Sequence, residues 1–380
     1  MTRKQKAEKT EKTEKAGKLS LKDMRKLVNK RAGMEVAFDL QEDNPTLVKE
    51  WIPTGSRWLD SIICRGKYAG IPAGKIVEIA GLQATGKSYM AAQIAANAQP
   101  MGYDVVYFDS ESAIDPSFLE NAGCVLSNLL YVQATSVEFV LETIEDLLVN
   151  NENKMLFIWD SLALTPSNSD VAGDFNPLSS MAVKPRILSK GLSKLTVPIA
   201  NSGSILLVLN QLKTNITMNV AEAMTTPYFT PGGKALAYAY SLRIWLTRRK
   251  AKNAFIENEA GFRVGSEVKI KLEKSRFGTE GRMCKFQIMW GDSQPRILDR
   301  ESWFEAVKVS DQLKSGGPWW TLMFDDNSEK KFQGTKWLEM LEDKKFYDQI
   351  IKIMDRELIQ KFDDQTGNAS DFYGADEDAE

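Results

Sequence analysis

Gly81-Leu82-Gln83-Ala84-Thr85-Gly86-Lys87-Ser88 fills every slot of the phosphate-binding pattern G-x-x-x-x-G-K-[ST]. The apolar run Ile76 to Ala80 before it reads as a strand, and Tyr89 to Ala95 after it reads as a helix. That strand–loop–helix context is the one the pattern requires. Glycines at 81 and 86 let successive backbone N–H groups and the helix N-terminus turn toward an anion. Lys87 is then expected against the β- and γ-phosphates of a nucleoside triphosphate, and Ser88 on Mg²⁺.

A chain of 380 residues exceeds the usual single-domain size, so one large α/β core with smaller terminal additions is expected. It contains no histidine, and its three cysteines, Cys64, Cys124 and Cys284, are far apart. Histidine acid–base chemistry, Ser-His-Asp triads and zinc sites are therefore excluded. No apolar run approaches a membrane span and no signal-peptide pattern opens the chain, so a soluble, intracellular protein without membrane partners is expected. The net charge of −2 hides an asymmetry: residues 1–31 hold twelve Lys and Arg against four Asp and Glu, while seven acidic residues stand unopposed after Lys361. These ends read either as solvated tails or as a basic arm and an acidic competitor for a polyanion-binding surface.

Between the ends, strands are expected over Ile76–Ala80, Asp104–Phe108, Met155–Trp159, Ser204–Leu209, Ser241–Leu246 and Val268–Leu272. Helices are expected over Ser88–Ala98, Pro116–Ala122, Val137–Leu148 and Met181–Ala200, with Pro185 and Pro198 shortening or kinking the last. This alternation predicts a mostly parallel, twisted central sheet. Leu156-Phe157-Ile158-Trp159 ends in Asp160, placed to orient Mg²⁺ beside Ser88. Tyr107-Phe108-Asp109-Ser110 leads to Glu111, suited to orient or deprotonate a water; a solvated loop carboxylate is the alternative there. Gln211 closes the next strand with a neutral amide that can sense a γ-phosphate without competing for the cation; taken by itself the segment reads more readily as a polar strand-end cap. Two long polar stretches, 166–180 and 213–233, follow strands and read as functional or mobile loops, with disordered insertions as the alternative.

The succession G-L-Q-A-T-G-K-S, Y-F-D-S-E-S-A-I-D-P, L-F-I-W-D-S-L-A, L-V-L-N-Q, T-P-G-G-K-A-L-A-Y-A-Y-S-L-R and L-E-K-S-R resembles the RecA family of strand-exchange recombinases over about Ile52 to Asp292. The lysine-rich opening, the E-K-S-R run and the acidic end are similar to the bacteriophage, UvsX-like branch; Gln211 and Gly86 are closer to the bacterial one. The resemblance implies a RecA-like P-loop ATPase core at 51–298, preceded by a basic head (1–18) and an N-terminal oligomerisation segment (19–50). Beyond the resemblance, residues 299–362, rich in Trp and charge, read as a small α-rich C-terminal domain, and 363–380 as an acidic tail. The resemblance implies ATP and Mg²⁺ as cofactors, with Glu111 activating water and residues 81–89, Asp115, Phe118 and Asp160 holding the nucleotide. Lys274 and Arg276 would reach the ATP of a neighbouring subunit, although from the residues alone they read equally as exposed strand-end charges. It also implies helical filaments on single-stranded DNA, pairing with homologous duplex, and a single-strand-binding protein and a mediator as partners. Its place would be the cytoplasm, nucleoid or host-cell cytoplasm.

In that family the two long loops bind DNA. Residues 166–180 carry Asp170 and Asp174 but no base, so the cations come from the following helix: Lys184, Arg186, Lys190 and Lys194, with Ser189 among them. The second loop offers Lys213, Thr214 and Asn215 at its root and Gly232-Gly233 at its exit. Hydroxyls, amides and a few cations can hold a strand without reading its sequence. A ring-forming DNA helicase on the same ATPase core is the competing reading, and a regulatory ATPase without DNA activity is a third.

Overall fold

The computed structural model describes residues 19–33, 35–42, 44–173, 183–215, 227–248, 254–290 and 296–359. The basic head, the acidic tail, Asp174 and the centres of both long loops lie outside these residues. The chain divides between Leu47 and Val48 into two compact units.

The first unit holds helix α1, Leu21–Ala32. Ser20 starts it by accepting the Asp23 N–H at 3.2 Å, and Gly33 ends it at φ 69°, where a side chain would be strained. Asn29 Oδ1 then accepts the N–H groups of Val36 and Ala37 at 3.0 and 2.7 Å, turning the chain back along the helix. Leu21, Met24, Leu27 and Val28 recur at helical spacing and are exposed.

The second unit opens with β1 (Trp51–Ile52), α2 (Arg57–Ile63) and β2 (Ile71–Pro72), the two strands pairing antiparallel. The alternating core follows: β3 (Ile76–Gly81), α3 (Lys87–Ala98), β4 (Asp104–Asp109), α4 (Pro116–Asn121), β5 (Leu129–Gln133), α5 (Val137–Asn150) and β6 (Met155–Asp160). It continues through α6 (Asn168–Ala172), α7 (Val183–Ser202), β7 (Ile205–Gln211), β8 (Lys213–Thr214), β9 (Tyr228–Phe229), α8 (Lys234–Ala239) and β10 (Leu242–Thr247). Then come β11 (Phe255–Glu257), β12 (Arg263–Ser275), β13 (Met283–Met289) and β14 (Arg296–Leu298). The main sheet runs β14-β13-β12-β10-β3-β7-β6-β4-β5, with β11 beside β12. Every neighbouring pair from β10 to β5 is parallel, and β11 to β14 extend the sheet antiparallel.

Strand alternation explains why this sheet is buried on both faces. Val77, Ile79, Leu156, Ile158, Leu207 and Leu209 enter one apolar layer with α2 and α3; Ile76, Phe157, Trp159, Leu206 and Val208 enter the other with α5 and α7. Pro185 falls in the first turn of α7, where its missing N–H breaks no helical bond. Pro198 sits inside a helix that still runs on to Ser202. β5, β11, β13 and β14 were not among the expected strands.

The C-terminal region adds a small antiparallel sheet to the helices expected there. Helix α9 (Asp299–Val307) leads into a three-stranded antiparallel sheet, β15 (Leu313–Gly316), β16 (Trp319–Met323) and β17 (Glu329–Gln333), then α10 (Trp337–Met340), α11 (Lys344–Met354) and a π turn at Asp355–Ile359. Trp303, Phe332, Trp337 and Phe346 form its own core. Arg57 ties it to the main body through an ion pair with Asp355 and a backbone bond to Asp299 Oδ1 at 2.9 Å.

At that junction Asp60 is fully buried, accepting from the Thr54 hydroxyl at 2.7 Å and from Tyr68 at 3.0 Å. Burial, with nearby Asp299 adding to it, pushes its carboxyl up to about 7. A folded-state value above the unfolded one means the stabilising, protonated form is fully present below the unfolded pKa of about 4 and lost as pH rises through about 7, a change on the order of 4 kcal/mol at most. Asp60→Asn, neutral at all pH, is expected to melt higher than the parent at pH 8 and to lose part of the fall in Tm between pH 5 and 8. An unchanged pH slope by differential scanning fluorimetry would show that this carboxyl is not held protonated.

Candidate nucleotide site and the two long loops

Gly81, Asp109, Asp160 and Gln211 are the last residues of β3, β4, β6 and β7, so they meet at the carboxyl edge of the parallel strands, where open α/β sheets place ligands. Gly86 precedes α3 at φ 83°, and a Cβ there would lie 2.5 Å from Ile288 Cδ1. The first N–H groups of α3 have no side-chain cap, leaving the helix N-terminus open to an anion. Thr85 Oγ1 donates to the Leu82 carbonyl at 2.8 Å, and Arg248 to the Ala84 carbonyl at 3.1 Å, fixing the loop from both sides. Gln83 and Ala84 form its exposed crest, and Tyr89 is buried beneath it.

Lys87 folds over this loop, its ammonium 3.1 Å from the Leu82 carbonyl and 3.3 Å from that of Gly81. Burial lowers its pKa, opposed by the charges of Asp160 and Glu111. Ser88 donates to Asp160 Oδ2 at 2.7 Å, and buried Tyr107 donates to the same oxygen at 2.8 Å. Burial raises the Asp160 pKa, and those two hydrogen bonds pull it back. The hydroxyl of Ser88 and the carboxylate of Asp160 form a hard oxygen pair that fits Mg²⁺, which takes one or two protein ligands and completes its shell with phosphate and water. Among the described residues no cluster of three or more acidic or cysteine side chains offers a fuller metal cage.

Glu111 is exposed, 3.5 Å from the Ser161 hydroxyl. Its loop is shaped by Asp109, whose carboxylate accepts the N–H groups of Glu111, Ala113 and Ile114 at 2.8, 2.9 and 3.1 Å and the Tyr131 hydroxyl at 3.2 Å. Asp109 and Tyr107 stand inside the quoted Y-F-D-S-E-S run but received no role from sequence. Only the pairing of β4 with β6 shows that they organise the groups on either side. Ser110 clips the same two strand ends together, its hydroxyl accepting the Ser161 N–H at 2.9 Å.

Asp115 caps α4, accepting from the Ser117 N–H and hydroxyl, and those bonds lower its pKa. Phe118, on the same helix, meets Tyr89 edge-on with ring centroids 6.2 Å apart. Gln211 is half-buried, its N–H donating to Asn210 Oδ1 at 2.9 Å.

Lys274 and Arg276 sit elsewhere. β12 is antiparallel to β10, and the register sets Lys274 opposite Arg243, which is itself opposite Glu78, three residues before Gly81. At ~3.3 Å per residue that places Lys274 about 10 Å back from the end of its own β3, and Arg276 farther still. Both cap the C-terminal carbonyls of α8: Lys274 Nζ lies 2.6 Å from Ala237 O and 2.7 Å from Tyr240 O, and Arg276 lies 2.7 Å from Tyr238 O.

The first long loop is not wholly irregular, since α6 forms within it on a capping box of Ser167 and Asp170. Beyond it, Arg186, Lys190 and Lys194 recur every fourth residue on one face of α7 and are exposed, with Ser189 half-buried beside them. Lys194 is paired with Glu145 at 2.6 Å, while Lys184 is drawn inward to the Ala163 carbonyl at 3.0 Å. The second loop stands on a small hairpin, Lys213–Thr214 against Tyr228–Phe229, extended by Asn215 N–H to the Pro227 carbonyl at 2.9 Å. At its exit Gly232 and Gly233 have φ 107° and 83°; a Cβ on Gly232 would meet Leu236 Cδ1 at 2.1 Å.

A family model described as the RecA N-terminal domain matches residues 19–294. Protein RecA of Colwellia psychrerythraea is 28% identical over 297 residues, spanning 78% of this chain and 81% of its own. Protein RecA of Caldanaerobacter subterraneus subsp. tengcongensis is 31% identical over 280 residues, 73% of this chain and 77% of its own. Protein RecA of Methylococcus capsulatus is 31% identical over 271 residues, 71% and 73%.

Proposed function

The chain belongs to the RecA family of ATP-dependent DNA recombinases, and from that premise we propose how its residues divide the work. Lys87, the loop from Gly81 to Tyr89, Asp115 and Phe118 hold ATP. Ser88 and Asp160 hold Mg²⁺, which neutralises charge developing on the phosphates. Glu111 takes the proton of the attacking water and Gln211 senses the γ-phosphate. Arg186, Ser189, Lys190, Lys194, Lys213, Thr214, Asn215, Gly232 and Gly233 contact the DNA backbone, with Lys194 released from Glu145 to do so. Lys274 and Arg276 act on the ATP of the adjacent protomer.

One observation carries this reading: the strands that end in Asp160 and Gln211 lead directly into the two long loops. A change at the phosphates therefore has a short covalent route to bound single-stranded DNA. The filament is a head-to-tail assembly in which α1 docks on the neighbouring subunit by its exposed apolar stripe. The lysine-rich opening, L-E-K-S-R and the acidic end support a bacteriophage-type member, working in the host-cell cytoplasm with a single-strand-binding protein and a mediator. No described helix is long and apolar enough to cross a membrane.

Negative-stain electron microscopy with single-stranded DNA and a non-hydrolysable ATP analogue tests the assignment. Open helical filaments that need both ligands are expected, and Lys87→Ala is expected to abolish them. Closed rings would favour a helicase-type motor; isolated particles in the parent protein would remove the DNA role.

A further inference from the structure

Beneath the phosphate loop one buried face of the sheet is interrupted by polar groups. β3, β7 and β10 turn Val77 and Ile79, Leu207 and Leu209, and Ile244 and Leu246 into one apolar layer. Alternation sends the residues between them to the other face, where Glu78, Asn210 and Arg243 stand on adjacent strands. Glu78 and Asn210 are fully buried, so each needs a partner to offset lost hydration. Glu78 Oε2 accepts from Arg243 Nε at 2.6 Å, and Oε1 accepts from Asn210 Nδ2 at 2.9 Å.

Both partners of Glu78 make a second bond, and both go to the exit of the second long loop. Asn210 Nδ2 reaches the Pro231 carbonyl at 3.2 Å, and Arg243 Nη2 reaches Thr230 Oγ1 at 2.8 Å. Asn210 Oδ1 meanwhile holds the N–H of Gln211 at the loop's entrance. One carboxylate on the phosphate-loop strand thus fixes both ends of the loop. Arg243 is further held against the rings of Tyr240 and Trp245, centroids 5.9 and 5.6 Å away. Stability alone is a poor explanation, because a buried ion pair is often replaceable by apolar residues without loss. Nor does packing require both partners to bond residues 230 and 231.

We propose that Glu78, Asn210, Arg243 and Thr230 are positioning residues that couple the phosphate loop to the second loop, so that nucleotide and DNA each favour the same arrangement of this buried group. The inference rests on the DNA-binding role given above to that loop. Coupling between two sites commonly amounts to about 5–150-fold in affinity and is reciprocal.

The test is the factor by which the non-hydrolysable ATP analogue tightens binding of a fluorescent oligo-dT, read by anisotropy, together with the affinity of the analogue alone. Thr230→Val removes one hydroxyl at nearly constant volume and is expected to cut the factor to below about threefold, with the affinity for the analogue alone kept. Thr230→Ser is expected to restore it. The double variant Glu78→Leu with Arg243→Leu, an apolar replacement of the whole pair, is expected to fold and to lose the coupling too. A Thr230→Val protein that keeps the parent's factor overturns the proposal even if the double variant fails to fold. A parent protein that binds oligo-dT equally with and without the analogue overturns the coupling alone, and one that binds no oligo-dT in either state overturns the DNA reading as well.

Discussion

Glu111→Gln is expected to lower kcat for ATP hydrolysis by about 10²–10⁴-fold and to leave DNA filaments assembled with ATP intact. The substitution keeps the shape of the side chain and removes only its capacity to accept a proton. The loop stays in place because Asp109 holds it through the backbone N–H groups of Glu111, Ala113 and Ile114. Lys87, Ser88 and Asp160 are untouched, so nucleotide-dependent assembly continues and turnover stops. Single-turnover hydrolysis, measured beside electron microscopy of the same sample, separates the two effects. Hydrolysis at the parent rate would remove Glu111 as the water-activating group.

The double variant Lys274→Ala with Arg276→Ala is expected to lose about 10³–10⁵ in kcat, the range for a cation supplied by a neighbour. Removing the caps from α8 costs about 0.3–1 kcal/mol per charge, too little to explain such a loss by unfolding. The decisive measurement is a mixture. Lys87→Ala protomers keep the cations but lack a working phosphate loop, and the double variant has the loop without the cations. Each alone is expected to be inactive, and mixing them should restore hydrolysis wherever the two kinds adjoin. Failure to restore it, with co-assembly confirmed, would mean that both cations serve the nucleotide of their own chain.

The positions of the phosphate loop, Asp160 and Glu111 at the strand ends were legible because the signal is local: a turn, a strand end and a loop a few residues long. The parallel core strands were legible because both faces are buried and the runs are nearly continuous in apolar residues. β5 escaped because it is the edge strand, and its Leu130 and Tyr131 are exposed, so no clean pattern marks it. β13 carries a readable alternation in Cys284, Phe286 and Ile288, hidden among Lys285, Gln287 and Met283. In the C-terminal region helices were expected, but the small sheet was not, and Trp319 and Trp320 lie on its β16. Glu78 was invisible in principle: a lone acid in an apolar strand acquires meaning only from Asn210 and Arg243, 132 and 165 residues away. Lys274 and Arg276 needed the antiparallel turn of β12 before their distance from the phosphate loop could be seen.

That distance has a consequence for counting. If each nucleotide is completed by cations from the next subunit, a polymer of n subunits holds n − 1 complete sites. A solitary subunit has none, and turnover per subunit climbs with length toward a plateau. The two tips are also unlike: one ends in a loaded nucleotide with no cation to trigger it, the other in cations with nothing to act on. Growth at the first tip switches on the dormant nucleotide and leaves the newest one dormant in its place, whereas a subunit added at the second tip finds its nucleotide completed at once. Short assemblies are therefore spared from firing their own fuel, and age along the polymer becomes readable from the state of its nucleotides.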